Sequence, residues 1–230
     1  IWAIEVANKV VDIEFIMHDT VVKLISIKEK IQKKNNKTKV IAVSKTFPIE
    51  DIVALINHGH KDFGENKIQE AVKKWTQVKK NFTNINLHMI GKIQSNKVKF
   101  IVPLFDYIHS LDSLKVAEKI SNEQKKYKKD IKIFIQVNIG DEQQKSGINI
   151  DNIVAFKNKC VEELNLNIIG LMCLPPKNKE TSIYFKQMNN LINKVNLKEL
   201  SMGMSNDYLE AVDHNSTYVR IGSKIFGDRN

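Results

Sequence analysis

Ile41-Ala42-Val43-Ser44-Lys45-Thr46 carries a small and branched apolar run into a lysine, and Pro48 follows shortly after. An apolar run closed by a turn signal reads as a parallel strand buried on both faces, because such strands meet other layers of protein on either side. A lysine at its end has two readings. Its head can have reached solvent at the strand terminus, with the stem lying along apolar surface. Alternatively, its amine waits at the mouth of a barrel for a carbonyl compound.

The chain on either side repeats the pattern. Strand-like segments recur at Lys61 to Gly64, Leu87 to Ile90, Tyr107 to His109, Ile131 to Ile139, Asn167 to Cys173, Glu199 to Met202 and Tyr218 to Ile221. Segments of helical periodicity separate them. Ile68, Ala71, Val72 and Trp75 make one apolar face; Ile153, Phe156, Cys160 and Leu164 make another; Tyr184, Met188, Leu191, Ile192 and Val195 make a third. Pro48 and Gly59 bracket a helix carrying Ile49, Ile52, Val53 and Ile56. Ahead of the first strand, Ile13, Ile16, Met17, Val21 and Leu24 form the stripe of an additional amphipathic helix. Eight strands alternating with helices, with no long linker, predict an α/β fold: a single (β/α)8 TIM barrel spanning 1–230 as one domain, with an extra N-terminal helix. An open doubly wound sheet is the alternative, but no Gly-x-Gly-x-x-Gly follows the first strand.

With 230 residues, 42% of them hydrophobic, the chain can bury a sizeable core. The net charge of +10 raises a nucleic-acid hypothesis. Its lysines are nevertheless scattered, and the runs Lys33-Lys34, Lys79-Lys80, Lys125-Lys126 and Lys128-Lys129 fall where helices should end, favoured there by the macrodipole. Aromatics, at 7%, do not interleave with these runs as a base-stacking surface would, so no specific nucleic-acid partner is expected. Cys160 and Cys173 show neither metal-ligand nor redox spacing and read as small core residues in a reducing compartment; no metal is expected. Apolar runs are too short for a membrane span and no secretory signal opens the chain, which predicts a cytoplasmic protein.

If the barrel is right, its chemistry collects at the C-terminal strand ends. Polar residues gather there: Lys45, then Glu65-Asn66, then His88 with the Gln94-Lys97 stretch, then His109-Ser110, Lys145-Ser146-Gly147, Ser201 to Ser205, and Arg220 to Ser223. The pieces AVSKT, FGEN, IGKIQSNK, KSG, GLMC, LSMGMSND and VRIGSKIFG, in this order and spacing, cover nearly everything from Ile41 to Arg229. Together they resemble the pyridoxal phosphate homeostasis protein family (YggS or PROSC type), which is itself similar to the barrel domain of alanine racemase. The resemblance implies a fold-type III barrel holding pyridoxal 5'-phosphate (PLP) as a Schiff base on Lys45. It also implies Asn66 and His88 beside the cofactor ring, and a flexible-loop Lys145 as a possible second amine. The LSMGMSND piece brings Met202 and Gly203 into the implied pocket.

Several of these positions have a physical rationale of their own. An amine that attacks an aldehyde must be neutral part of the time, and nearby cations or partial desolvation lower a lysine pKa toward that condition. Ser201, Ser205, Gly222 and Ser223 offer hydroxyls and open backbone N–H groups on strands seven and eight, where barrels commonly bind phosphate; ordinary loop chemistry is the alternative for two Gly-Ser turns. Arg220 on an apolar strand must have a partner, either a neighbouring carboxylate or, as the racemase barrel implies, a pyridine nitrogen. A guanidinium can donate to that nitrogen but not hand it a proton, so the ring becomes a weaker electron sink and reaction scope is narrow. His88 alternatively reads as a satisfied core histidine, and Lys145 as a solvated loop lysine. Departures from the family pattern are Asn215-Ser216-Thr217 in place of Gly-Ser-Thr, Ser223 in place of threonine, and Lys67 in place of tyrosine. Asn tolerates the left-handed conformation a glycine would supply, so the turn at 215 is expected to survive.

These readings predict a PLP carrier and homeostasis protein that limits the free aldehyde and passes it to PLP-dependent apoenzymes, without robust turnover. The runner-up is an amino-acid racemase with slow or residual activity. Racemisation wants an acid/base group on each face of the substrate, and Lys45 serves one. Because the chain ends soon after the eighth strand, the racemases' additional domain is not expected, and the protein is expected to be a monomer. An aldolase-type Schiff-base barrel is a further alternative, although there the lysine usually lies on a later strand.

Overall fold

The computed structural model describes residues 17–142, 146–176 and 179–227. A helix, α1 (Asp19–Gln32), leads into β1 (Lys39–Val43), α2 (Ile49–Asn57), β2 (Asp62–Glu65), α3 (Ile68–Asn81) and β3 (Asn86–Met89). The alternation continues with α4 (Val98–Leu104), β4 (Tyr107–Leu111), α5 (Leu114–Tyr127), β5 (Lys132–Val137) and α6 (Ile153–Asn158), whose last turns are π-helical over Lys159–Glu163. It closes with β6 (Ile168–Cys173), α7 (Thr181–Lys194), β7 (Glu199–Met204), α8 (Tyr208–Asp213), β8 (Tyr218–Ile221) and the short α9 (Ser223–Phe226). The eight parallel strands form a closed barrel. β1 pairs with β2 at Ala42 and Phe63 and with β8 at Ile41 and Arg220, which leaves no free edge and excludes the open sheet.

Closure gives every strand one face inside the ring and one against the helices, with a period of two. On β1, Val40 and Ala42 join the large apolar layer between strands and helices, whereas Ile41 packs inside with Tyr107, Phe134, Met172 and Tyr218. The inner packing is largely aromatic. His88 stacks on Tyr107 with centroids 4.3 Å apart, and His109 stacks on Phe134 at 4.2 Å.

Most expected elements appear within two residues of their predicted ends. β1 stops at Val43 rather than at Lys45, because Ser44 N–H makes the last bond to β2, at Gly64, and Thr46 then adopts a positive φ of 67°. In α1, Val21 and Leu24 are buried, as are Ile27 and Ile31; Met17 precedes the helix and is exposed, and Ile13 and Ile16 lie outside the described residues. In α2, Ile52 and Leu55 are the buried positions, and Ile49 is exposed. Apolar residues at 49, 52, 53, 55 and 56 span an arc of roughly 160° at about 100° per residue, wider than the part that is buried, so periodicity alone does not single out Ile52 and Leu55. The lysine runs do sit at helix ends: Lys33 caps α1, Lys79 and Lys80 close α3, and Lys125 and Lys126 close α5. Asn215 is left-handed at φ 61°, the conformation its substitution for glycine demands. Cys160 and Cys173 are free and buried, and burial pushes both thiols up to about 12.

β6 approaches β7 closely at Gly170, where an added Cβ would lie 2.0 Å from the Glu199 carbonyl oxygen. Gly170→Ala must therefore force these strands apart and is expected to cost about 1–3 kcal/mol, as overpacking does, read as a lowered urea midpoint at unchanged slope.

Candidate functional site

A cavity of about 950 Å³ opens at the C-terminal ends of the strands. Parity explains which side chains reach it. Ser44 is buried and bonds on the helix side, so the next residue, Lys45, turns inward above Val43, and both line the cavity. Asn66 follows β2 with the inward parity of Gly64, and Arg220 and Gly222 follow Tyr218 on β8. Six of the expected site residues line this space: Lys45, Asn66, Ser205, Arg220, Gly222 and Ser223. Asn66 is held there by a close backbone approach, since a Cβ on Gly91 would fall 2.2 Å from the Asn66 carbonyl oxygen. Gly222 keeps the cavity open: a Cβ there would stand 3.5 Å from Val43 on the same wall, with no clash against the protein.

The other expected residues lie behind the wall. Met202 is fully buried in the apolar layer, and Gly203, at φ 91°, lets β7 pass so close to α8 that a Cβ would meet Ala211 at 2.5 Å. Ser201 and His88 are fully buried inside the barrel. Lys145 lies outside the described residues. Lys67 is exposed and away from the cavity lining.

Ser201 and His88 belong to a chain of hydrogen bonds along the barrel interior. Arg220 Nη1 donates to Ser201 Oγ at 2.6 Å, and its Nη2 donates to the Cys173 carbonyl at 2.9 Å. Ser201 Oγ is 2.8 Å from His109 Nδ1, His109 Nε2 is 2.9 Å from His88 Nδ1, and His88 Nε2 is 3.0 Å from Asp62 Oδ1. Donor counting fixes the protons. The Asp62 carboxylate can only accept, so a neutral His88 carries its proton on Nε2 and accepts at Nδ1 from His109 Nε2–H, which leaves His109 Nδ1 to accept the Ser201 O–H. Each imidazole then carries its proton on Nε2, and the last one reaches the Asp62 carboxylate. The chain runs one way, from a cation at the mouth to an anion at the other end of the strands, through neutral groups.

Electrostatics agree with that assignment. Burial holds the His109 imidazole well below its ordinary pKa, helped by His88 and Arg220. Burial also lowers His88, against the pull of Asp62. Burial pushes Asp62 up, but hydrogen bonds from His88 and Asn86 outweigh it and leave the carboxyl below its usual range. Arg220 is 4% exposed; burial lowers its pKa, with Asp207 among the groups opposing the shift.

His109 stands among the polar residues expected at the strand ends, whereas Asp62 and Asp207 are given no role by the motifs, and no motif joins the three to one site. The signal that finds the first two is strand parity, because Asp62 and His109 share the inward face with Asn66 and His88. Among the described residues no cluster suits a metal ion, and no helix is long and apolar enough to cross a membrane. Among the described residues the cavity thus combines two primary amines, Lys45 at the end of β1 and Lys179 on the loop before α7, with one buried guanidinium, the hydroxyls of Thr181, Ser205 and Ser223 and the Asp207 carboxylate. This donor set fits an anionic, ring-nitrogen-bearing aldehyde.

Comparison with known proteins points the same way. The family described as alanine racemase, N-terminal domain, matches residues 24–230. The pyridoxal phosphate homeostasis protein of Pasteurella multocida is 36% identical over 201 residues, covering 83% of this chain and 86% of that protein. Its namesake from Aquifex aeolicus is 34% identical over 225 residues, covering 90% and 97%. The structure of PipY from Synechococcus elongatus PCC7942, with PLP bound, superposes with a TM-score of 0.81 at 30% identity, covering 90% of this chain and 100% of PipY.

Neutral buried histidines link stability to pH. His60, which donates from Nε2 to the Asp62 carbonyl, is lowered from 6.5 to about 4, first by burial and then by Lys28. A group with a lowered folded pKa binds fewer protons when folded, so its contribution is complete above about 6.5 and is lost as pH falls toward 4. Between pH 7 and 4.5, unfolding free energy is expected to drop by about 2–3 kcal/mol from His60 alone, and His60→Gln should flatten the urea-midpoint profile across that window. Nitrogen NMR of the ligand-free protein should show His88 and His109 as neutral Nε2–H tautomers at pH 7.

Proposed function

This chain belongs to the pyridoxal phosphate homeostasis protein family, and on that premise we propose that it binds PLP as a Schiff base on Lys45 and serves as a cofactor carrier. In this reading it limits the free reactive aldehyde and delivers it to PLP-dependent apoenzymes. The observation that carries the proposal is the convergence of Lys45, Arg220, Ser205 and Ser223 on one cavity. When bound, the cofactor supplies an aldehyde carbon that condenses with the neutral Lys45 amine, with loss of one water. Ser205, Ser223 and the Gly222 backbone would hold the phosphate, and Asn66 would flank the ring. Met202 and Gly203 act from behind the wall by shaping the β7 turn that presents Ser205.

Arg220 has two N–H groups committed, to Ser201 and to the Cys173 carbonyl. A guanidinium carries five, so others remain for an acceptor in the cavity. Ser201 and His109 point their protons away from Arg220, and neither can pass one up to a pyridine nitrogen. His88 acts at a distance, by orienting His109. Such a ring stays unprotonated and stabilises carbanions poorly, which favours holding the cofactor over turning over amino acids. In the racemase reading an acid/base group must oppose Lys45. Besides Lys45 and Arg220, the ionisable side chains among the described residues lining the cavity are Lys179 and Asp207, so an opposing acid or base would have to come from one of these two.

The proposal extends to residues 1–230 as a single cytoplasmic, monomeric PLP-binding domain with no specific nucleic-acid partner, and to Lys145 as a second amine that accepts or relays the aldehyde. Purified protein should be yellow with the absorption of a protonated imine. Lys45→Ala should abolish the band, and borohydride should fix the cofactor to the Lys45 peptide in the wild type. Alanine racemisation no faster than with Lys45→Ala completes the expected result; full turnover, or cofactor fixed elsewhere, contradicts it.

A further inference from the structure

We propose that Glu70, Lys74 and Glu65 form a clamp that positions Lys45, so that contacts from α3, and not β1, set where its amine points. The inference rests on the reading of Lys45 as the aldehyde-binding amine and assigns roles to three residues outside the cavity wall.

Lys45 lies beyond the last residue of β1 and is followed by Thr46 in the left-handed region, which a β-branched residue adopts only when its surroundings impose it. Those surroundings come from α3. Lys74 Nζ donates to the Ser44 carbonyl at 2.8 Å, to Glu65 Oε1 at 3.1 Å and to Glu70 Oε1 at 3.4 Å. An ammonium has three donors, and these are three acceptors. Glu70 Oε1 also accepts the Thr46 N–H at 2.6 Å. Glu65, fully buried, accepts from Ser44 Oγ at 2.8 Å and from Trp75 Nε1 at 2.9 Å. The Lys45 carbonyl is itself bonded to Thr46 Oγ1 at 2.6 Å. The peptide groups on both sides of Lys45 are therefore fixed to one helix, which anchors the backbone from which its side chain projects. Lys74 has its donors engaged and does not line the cavity, so it does not compete for the aldehyde. An arginine at 74 has a planar fork and cannot aim at three acceptors arranged around a point.

Removing Lys74 would strand the Glu65 carboxylate, whose Oε2 is already buried without a partner among the described residues, and such a variant risks failing to fold. The test therefore uses Glu70, at the exposed side of the clamp. In cofactor-free protein, Glu70→Ala should speed amide exchange at Thr46 about tenfold relative to barrel amides, and Glu70→Gln, which keeps an acceptor oxygen, should restore protection. With PLP added, imine formation at Lys45 followed by its absorbance should slow about tenfold in Glu70→Ala and return to within twofold of wild type in Glu70→Gln. Unchanged Thr46 exchange overturns the clamp, and so does faster exchange with an unchanged rate of imine formation. A wild-type protein that forms no imine sinks the carrier reading instead, and Thr46 exchange then decides the clamp by itself.

Discussion

Closure of the barrel is the constraint from which the site follows. Because β1 is bonded to β2 on one side and to β8 on the other, each strand must point alternate residues into the ring. Carried past the end of β1, that alternation sends Ser44 toward the helices and Lys45 toward the cavity. The same rule on β2, β4 and β8 places Asp62, His109 and Arg220 on the interior, where residues far apart in the chain become neighbours. A barrel interior is a packed core, and polar groups are tolerated there only when every donor and acceptor is matched.

The interior chain from Arg220 to Asp62 meets that condition without an ion pair. Its members are spaced at 2.6 to 3.0 Å, and each neutral group accepts at one end and donates at the other. A buried guanidinium without such support would be costly. Here its charge is met by aligned dipoles ending on a carboxylate, with Cys173 and Asp207 close by. The arrangement also commits the protons in one direction, so that Arg220 meets the mouth of the barrel only as a donor.

A second layer of control sits between strands and helices. Glu65 belongs to a motif whose asparagine faces the cavity, yet its own carboxylate faces α3, and through Lys74 and Glu70 it governs the backbone on either side of Lys45. Adjacent residues of one motif thus serve opposite faces of the strand. Gly91 extends the principle, being required by the nearness of the Asn66 backbone and by nothing in the cavity.

Residue order by itself recorded the strand and helix alternation, the count of eight strands, the placement of lysine runs at helix ends and the strand-end positions of Lys45, Asn66, Ser205, Arg220, Gly222 and Ser223, whereas closure of the ring rests on the β1–β8 pairing. These depend on local periodicity and on strand termini, which a linear pattern records. Only the tertiary structure decided that Ser201 and His88 support Arg220 from within, that Met202 and Gly203 lie behind the wall, and that α3 holds the Lys45 segment. Those facts depend on which residues meet across the ring and across the strand–helix layer, on donor-by-donor pairing at distances near 3 Å, and sequence separation carries no trace of such pairings.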